Sequence, residues 1–473
     1  MYDVIIIGGG ITGTMLAYKL ARYDLKVALL ERENDIADGA TMANSAIIHT
    51  GYDPEEGTLK GLLNVKGANQ YGKICKDLDC EYKVIGAYIA ACGKQEEEHL
   101  DVLAKRAENR DIPHQFLTRE EAIQSEPNLS DHVTKVLSFP TTAVIHPWEV
   151  AEACMECAMN NKTELYLNTK VTDIEKTENG YKVFSDDRVF ETKYVVNAAG
   201  VHAADIFAMV SDKNLFHTMA RRGEYYVLEE NLNFVSHIIF PVPSAKGKGV
   251  LAVPTVHGNV LIGPDSTVID DPDDIGNSTE GLAYVRENIF KTMKNVPLNR
   301  SIRNFAGIRP STDQKDFIIE ESMPYFINAA SIESPGLASA PAIADYIIEI
   351  MQMHGLFTEK TDYNLTRKAP VRLKNLTDEE KNELIRKNPA YGKMICRCEQ
   401  VSEGEIIDCI HKPCGARSVK GVKKRLRPGM GRCQGGFCEP RVLEILAREL
   451  HISPLEVVLD SPESRILESE NRA

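Results

Sequence analysis

No stretch of apolar residues in this 473-residue chain reaches membrane-spanning length, so no integral membrane segment is expected. An excess of basic residues is missing too. Against 55 Lys and Arg stand 69 Asp and Glu, a formal net charge of −14, which argues against a nucleic-acid binder and is ordinary for a soluble enzyme. Internal repeats and low-complexity tracts are absent, which leaves a chain long enough for two or three domains and a large core. No signal peptide is expected either, because a glycine turn already begins at Gly8. A cytoplasmic protein is expected, peripheral to the inner membrane only through a partner. Cysteine is not scarce. Eleven occur, and in a cytosolic chain they suggest free thiols or metal ligands rather than a disulfide framework; six lie between Cys396 and Cys438.

What is present starts at the N-terminus. Asp3 to Ile7 read as a buried strand, Gly8, Gly9 and Gly10 as a turn, Thr12 to Tyr23 as a helix, and Lys26 to Leu30 as a second strand ended by Glu31. Gly8, Gly10 and Gly13 stand at the G-x-G-x-x-G spacing of a dinucleotide-binding fingerprint. Gly8 permits the tight turn, Gly10 lets backbone approach a pyrophosphate, and Gly13 lets helix and strand pack closely. The helix beginning at Thr12 offers free N–H groups and a favourable dipole to the phosphates. Glu31, with Arg32 beside it, lies where an acid accepts hydrogen bonds from ribose hydroxyls. The loop after it is rich in small residues through Asn44 and Ser45, so its backbone can lie close to a cofactor. A later strand from Tyr194 enters a second small-residue turn, Asn197-Ala198-Ala199-Gly200. These repeated returns to one cofactor, with other segments between them, favour FAD over nicotinamide.

NSAIIHTGYDP, from Asn44, and TLKGLL, from Thr58, carry a more specific signal. With the glycine turn they resemble the FAD-dependent oxidoreductases of the D-amino-acid-oxidase type. Within these they are similar to the branch holding L-2-hydroxyglutarate dehydrogenases and glycerol-3-phosphate oxidases and dehydrogenases. The resemblance implies that His49 lies on the substrate side of the flavin as a candidate base, since an imidazole accepts a hydroxyl proton near neutral pH. It implies that Val171 offers backbone to the adenine and that the turn at Ala199 and Gly200 approaches the FAD. AGIRP holds Gly307 and Arg309, and it resembles the family's loop with a substrate-anion arginine, whose planar fork grips a carboxylate or phosphate in bidentate geometry. In SPGL, Gly336 and Leu337 open a helix whose N-terminus can stabilise negative charge on a reduced flavin. The strand-rich block from Phe216 to Asn304 reads as a substrate-domain sheet, where Arg222, Lys248 and His257 are candidate anion ligands or merely solvated surface. Cys154 and Cys157 form a C-x-x-C on a helix starting at Pro147; with no second ligand pair nearby they read as buried helix-face residues.

At the C-terminus Cys396 and Cys398 are spaced C-x-C, and Cys433 and Cys438 follow as C-x4-C. Four thiolates in two close pairs suit a 2Fe-2S cluster or, less well, a tetrahedral zinc. Cys409 and Cys414 lie between the pairs and are not expected to be ligands. Lys420, Lys423, Lys424, Arg425, Arg427 and Arg432 are expected to offset the charge of the thiolate cluster. The segment resembles the small helical domain of bacterioferritin-associated ferredoxin, departing from its closer C-x-x-C closing pair.

The fold expected is α/β. A Rossmann-type FAD-binding domain (about 1–80, 147–212 and 305–353) is interleaved with a mixed-sheet substrate domain (about 81–146 and 213–304). A linker over 354–393, a small helical iron–sulfur domain over 394–460 and a tail over 461–473 follow. Along its length the chain resembles catalytic subunits of anaerobic glycerol-3-phosphate dehydrogenases. That implies a small anionic hydroxy substrate and a second flavoprotein or quinone-linked subunit as electron acceptor. A 2-hydroxy-acid dehydrogenase and a non-catalytic electron-transfer subunit are the alternatives.

Overall fold

Tyr2–Ile7 is buried from Val4 onward because it has a parallel partner on each side, Val189–Asn197 and Val27–Leu30, so both its faces need apolar side chains. This computed structural model describes residues 1–213, 215–243 and 249–469. Around that strand an eight-stranded sheet forms among the described residues, drawing on residues 2–30, 164–197 and 318–330. The helices Ile11–Leu20 and Gly336–Gln352 pack together on one of its faces, joined by Pro147–Asn160, whose proline takes the first helical position as expected. Cys154 and Cys157 are buried inward on that last helix, with Cys157 Sγ donating to the Asn364 carbonyl. They are core residues.

Among the described residues a nine-stranded sheet is built from residues 87–139, 218–269 and 301–312. Its spine is the ribbon of Thr218–Leu228 against Ser301–Thr312, antiparallel in register from Thr218↔Thr312 to Leu228↔Ser301 with one bulge. The chain therefore crosses between the two sheets several times, and the cleft between them is where the ligand-facing loops meet. One boundary differs from expectation. The strand carrying AGIRP belongs wholly to the second sheet, and the chain rejoins the first only at Ile318. The apolar alternation of a strand marks where it runs, not which sheet claims it.

The C-terminal unit has its own core. A short hairpin, Met394–Cys396 with Val401–Ser402, precedes three helices, Glu403–His411, Val419–Leu426 and Glu439–Leu450. Ile406, Ile410, Val422 and Leu446 are fully buried between them. Ser402 and Glu405 form the capping box that opens the first helix. Beyond the last helix the chain turns back, with Val458 bridging Arg465. The stretch 354–393 contains a capped helix, Asp378–Lys387, and is strapped to the first domain by the buried Arg367, which pairs with Glu156 at 3.1 Å.

Candidate active site

A cavity of about 1850 Å³ lies between the two sheets. Gly8, Gly10 and Thr12 line one end of it. Gly8 has φ +109°, and a side chain there would put Cβ 2.4 Å from the Ala198 carbonyl oxygen. Gly13 faces away from the cavity. Its missing side chain is needed because a Cβ would lie 2.1 Å from the Gly8 carbonyl, so its role is helix-to-strand packing. The helix that follows has no side-chain cap at Gly10, and Ile11 N–H donates to Thr41 Oγ1 at 2.8 Å. Glu31, Arg32, Asn44, Ser45, Val171, Ala199, Gly200, Gly307, Gly336 and Leu337 all line the same cavity. Glu31 accepts from Gly9 N–H at 2.7 Å and Glu33 N–H at 2.9 Å; burial pushes its carboxyl upward and these two bonds oppose the shift. Arg32 is drawn to Asp273 at 2.6 Å.

His49, Tyr225, Arg221 and Arg309 also line the cavity. His49 follows the strand Ile47–Ile48, which pairs with Ala143–Ile145. Its backbone carbonyl accepts from the buried Asn64 side chain at 2.7 Å, and its ring sits 5.4 Å from that of Phe240. Tyr225 stacks on Phe305 and shares a 3.0 Å hydrogen bond with Ser45. Arg309 Nη2 donates to the Asp265 carbonyl at 3.1 Å, and its guanidinium lies across Gly223, where a Cβ would come within 2.1 Å of Nη2. Arg221 stands directly opposite Arg309 in the ribbon, so the two share a face. Among the described residues neither has an ion-pair partner.

In the C-terminal unit, Cys398 Sγ lies 4.0 Å from Cys433 Sγ. Cys396 and Cys438 form the second pair: the Cys438 thiol hydrogen-bonds Cys396 and, with the Glu399 and Gly429 N–H groups, draws it down to about 6, while Cys438 is pushed up. Among the described residues no group of three or more metal-type ligands converges on one ion. Two thiol pairs suit two irons better than one tetrahedral zinc. Cys409 and Cys414 are buried away from these pairs, and burial raises both to about 12.

Residues 3–350 match the family described as FAD dependent oxidoreductase. The chain belongs to that family. Residues 394–448 match the BFD-like 2Fe-2S binding domain. A glycerol 3-phosphate dehydrogenase of Caloramator mitchellensis is 45% identical over 99% of this chain and 98% of its own length. A glycerol 3-phosphate oxidase of Mycoplasma genitalium is 34% identical over 74% of this chain and 94% of its own. The solved L-alpha-glycerophosphate oxidase of Mycoplasma pneumoniae, with FAD bound, superposes with a TM-score of 0.75 at 29% identity, covering 78% of this chain and 99% of that one. This is a FAD-dependent dehydrogenase with a second redox centre, a 2Fe-2S cluster.

The residues fit both groups. For FAD, the glycine turn, the small-residue turn at Ala199 and Gly200, and Gly307 bring backbone to the cavity wall, beside a helix start with no side-chain cap on Gly10. Cys396, Cys398, Cys433 and Cys438 are the residues that would hold the cluster.

Three anion-ligand expectations fare differently. Arg222 is turned out of the cavity, paired with Asp274 at 2.6 Å and Glu224 at 3.3 Å. Its neighbour Arg221 takes the place facing the cavity, because successive residues of a strand point to opposite faces. His257 is also outside. It packs against His146, 3.4 Å between ring nitrogens, and burial pushes its imidazole down. Lys248 lies outside the described residues.

The basic residues of the C-terminal unit are another correction. They serve domain docking more than thiolate charge. Arg425 grips Asp35 of the FAD domain at 2.6 and 2.8 Å, and Lys424 reaches Asp35 at 3.0 Å and Asp38 at 2.9 Å. Arg427 pairs with Glu399 and Glu230, and Arg432 with Glu229. Burial alone would raise the Asp35 carboxyl, but the charges of Arg425 and Lys424 overturn that and hold it down. Lys423 keeps the expected role, lying within electrostatic reach of Cys438 with burial lowering it to about 8.

Proposed function

We propose that this protein oxidises sn-glycerol 3-phosphate to dihydroxyacetone phosphate and delivers the electrons to a partner protein. The observation that carries the reading is the pair Arg221 and Arg309, opposed in register on the cavity wall that also holds His49. A phosphate dianion calls for two cations, whereas a single bidentate arginine satisfies a carboxylate. Full-length similarity to a glycerol 3-phosphate dehydrogenase supports the same choice.

In this reading Arg309 and Arg221 hold the phosphate, and His49 takes the hydroxyl proton as the neighbouring C–H bond gives up a hydride. The buried walls around His49, Phe240 and Tyr225 keep water from the reacting carbon. Bound FAD supplies the two-electron acceptor, and the 2Fe-2S group supplies one-electron transfer outward. The exit lies at the cysteine loop, where Cys398 is exposed and Phe437, beside Cys438, is 84% exposed. The acceptor we assign is a second flavoprotein or a quinone-linked subunit, met from the cytoplasmic side. Among the described residues no helix is long and apolar enough to cross a membrane.

Anaerobic addition of glycerol 3-phosphate to the purified protein tests this directly. The visible flavin band should bleach with glycerol 3-phosphate and persist with L-2-hydroxyglutarate. Bleaching by the second compound alone would replace the phosphate reading with a 2-hydroxy-acid one.

A further inference from the structure

The dinucleotide cavity is not closed by the FAD domain alone. Lys420, Asp460, Ser461 and Glu463 also line it, and all four lie beyond residues 3–350 of the oxidoreductase match. Lys420 sits in the first turn of Val419–Leu426. Its backbone N–H donates to the Leu459 carbonyl at 2.8 Å, which fixes Asp460 beside it.

The lysine meets the FAD domain at a particular loop. Its Nζ is 3.6 Å from Asp38 Oδ1 and 3.7 Å from Asp460 Oδ2. Asp38 stands between two anchors on the phosphate-binding turn. Ala37 N–H donates to the Gly9 carbonyl at 2.9 Å, and Thr41 Oγ1 receives Ile11 N–H at the start of the helix. Both carboxylate distances exceed hydrogen-bond length, and among the described residues the ammonium makes no side-chain hydrogen bond. Its donors are available to an anion.

Charge points the same way. Glu31, Glu33, Asp38, Asp460 and Glu463 crowd this end of the cavity, and a pyrophosphate brought among them needs a cation. Arg32 is already committed to Asp273 and Glu33. Arg221 and Arg309 belong to the ribbon of the second sheet, where they face one another.

We propose that Lys420, contributed by the iron–sulfur domain, binds the pyrophosphate of FAD, so that the second domain completes the cofactor site. FAD occupancy and domain docking are then linked, each favouring the other.

FAD-stripped full-length protein titrated with FAD, read by quenching of flavin fluorescence, tests the assignment without turnover. Lys420→Met should weaken binding about tenfold, the scale of one lost charge-assisted hydrogen bond. Lys420→Arg, which keeps the charge, should stay within about threefold. Arg441→Met, on the same domain but away from the cavity, should bind as wild type. ADP, which carries the pyrophosphate without the flavin, should lose as a competitor the factor that FAD loses. Wild-type FAD affinity in Lys420→Met overturns the proposal. So does an equal loss in Lys420→Arg, or a loss confined to FAD with ADP unaffected. Lys420→Gln carries the same readings should Lys420→Met fail to fold.

Discussion

At the scale of single residues, the proposed substrate grip depends on one missing side chain. Arg309 lies flat across Gly223, and a methyl there would collide with its guanidinium. Gly223→Ala should therefore behave like an arginine variant, raising KM for glycerol 3-phosphate about tenfold or more while FAD content stays unchanged. Arg309→Lys should raise KM similarly, since an ammonium cannot replace a planar fork. His49→Ala should instead slow anaerobic flavin reduction by about 10²–10⁴-fold, the ordinary worth of a positioned base. Full-rate reduction in that variant would remove His49 from the mechanism. The sequence made the approach of Arg309 and His49 to the cavity legible because their motifs are local. Arg221 was one residue away from legible. RRGEYYVL announces a strand, but only its register against AGIRP shows that Arg221, not Arg222, shares a face with Arg309.

At the scale of elements, the loop after the second strand does two jobs with one set of acids. Asp35 and Asp38 receive Lys424 and Arg425, while Glu152, on the helix Pro147–Asn160, stands 3.5 Å from the same Arg425. Asp35 takes the bidentate contact, so Glu152 is the carboxylate left underserved. Burial raises it from 4.5 to about 7, with Arg425 opposing the shift and Asp35 adding to it. The sign follows from linkage: between those values the folded protein holds a proton that the unfolded chain has released. This group's stabilisation is thus complete below the unfolded value and fades as pH rises through the folded one. Melting profiles should fall from about pH 5 to about pH 8, and Glu152→Gln should shrink that fall by about 1–3 kcal/mol. An unchanged pH dependence in the variant would assign the ionisation elsewhere. None of this could be read from the sequence. DGATMANS looks like a cofactor loop because its small residues are adjacent, whereas ENDIAD reveals its partners only when helix Val419–Leu426 is laid on it.

At the scale of the whole molecule, a long-range contact holds the unit with the cysteine pairs against the oxidoreductase unit. The glycine turn and the cysteine pairs each declared a local site, but nearly the whole chain separates Asp35 from Arg425. The docking is a buried ion pair with both side chains under 10% exposed, 7% for Arg425 and 3% for Asp35. Removing one member strands the other away from water, at a cost of about 3–5 kcal/mol, whereas removing both relieves that penalty. Arg425→Met should thus loosen the iron–sulfur domain, and Asp35→Asn combined with it should recover much of the loss. In the proposed mechanism the residues that act on substrate, Arg221, Arg309 and His49, all lie outside the iron–sulfur unit, so the single variant, refilled with saturating FAD, should still bleach near the wild-type rate. Turnover with a one-electron protein acceptor needs the docked domain and should fall in step with faster proteolysis within residues 354–393. The double variant should regain both together. If turnover stayed low after the domain had closed again, the ion pair would hold the fold without aligning the two centres, and electron exit would depend on the cysteine loop alone.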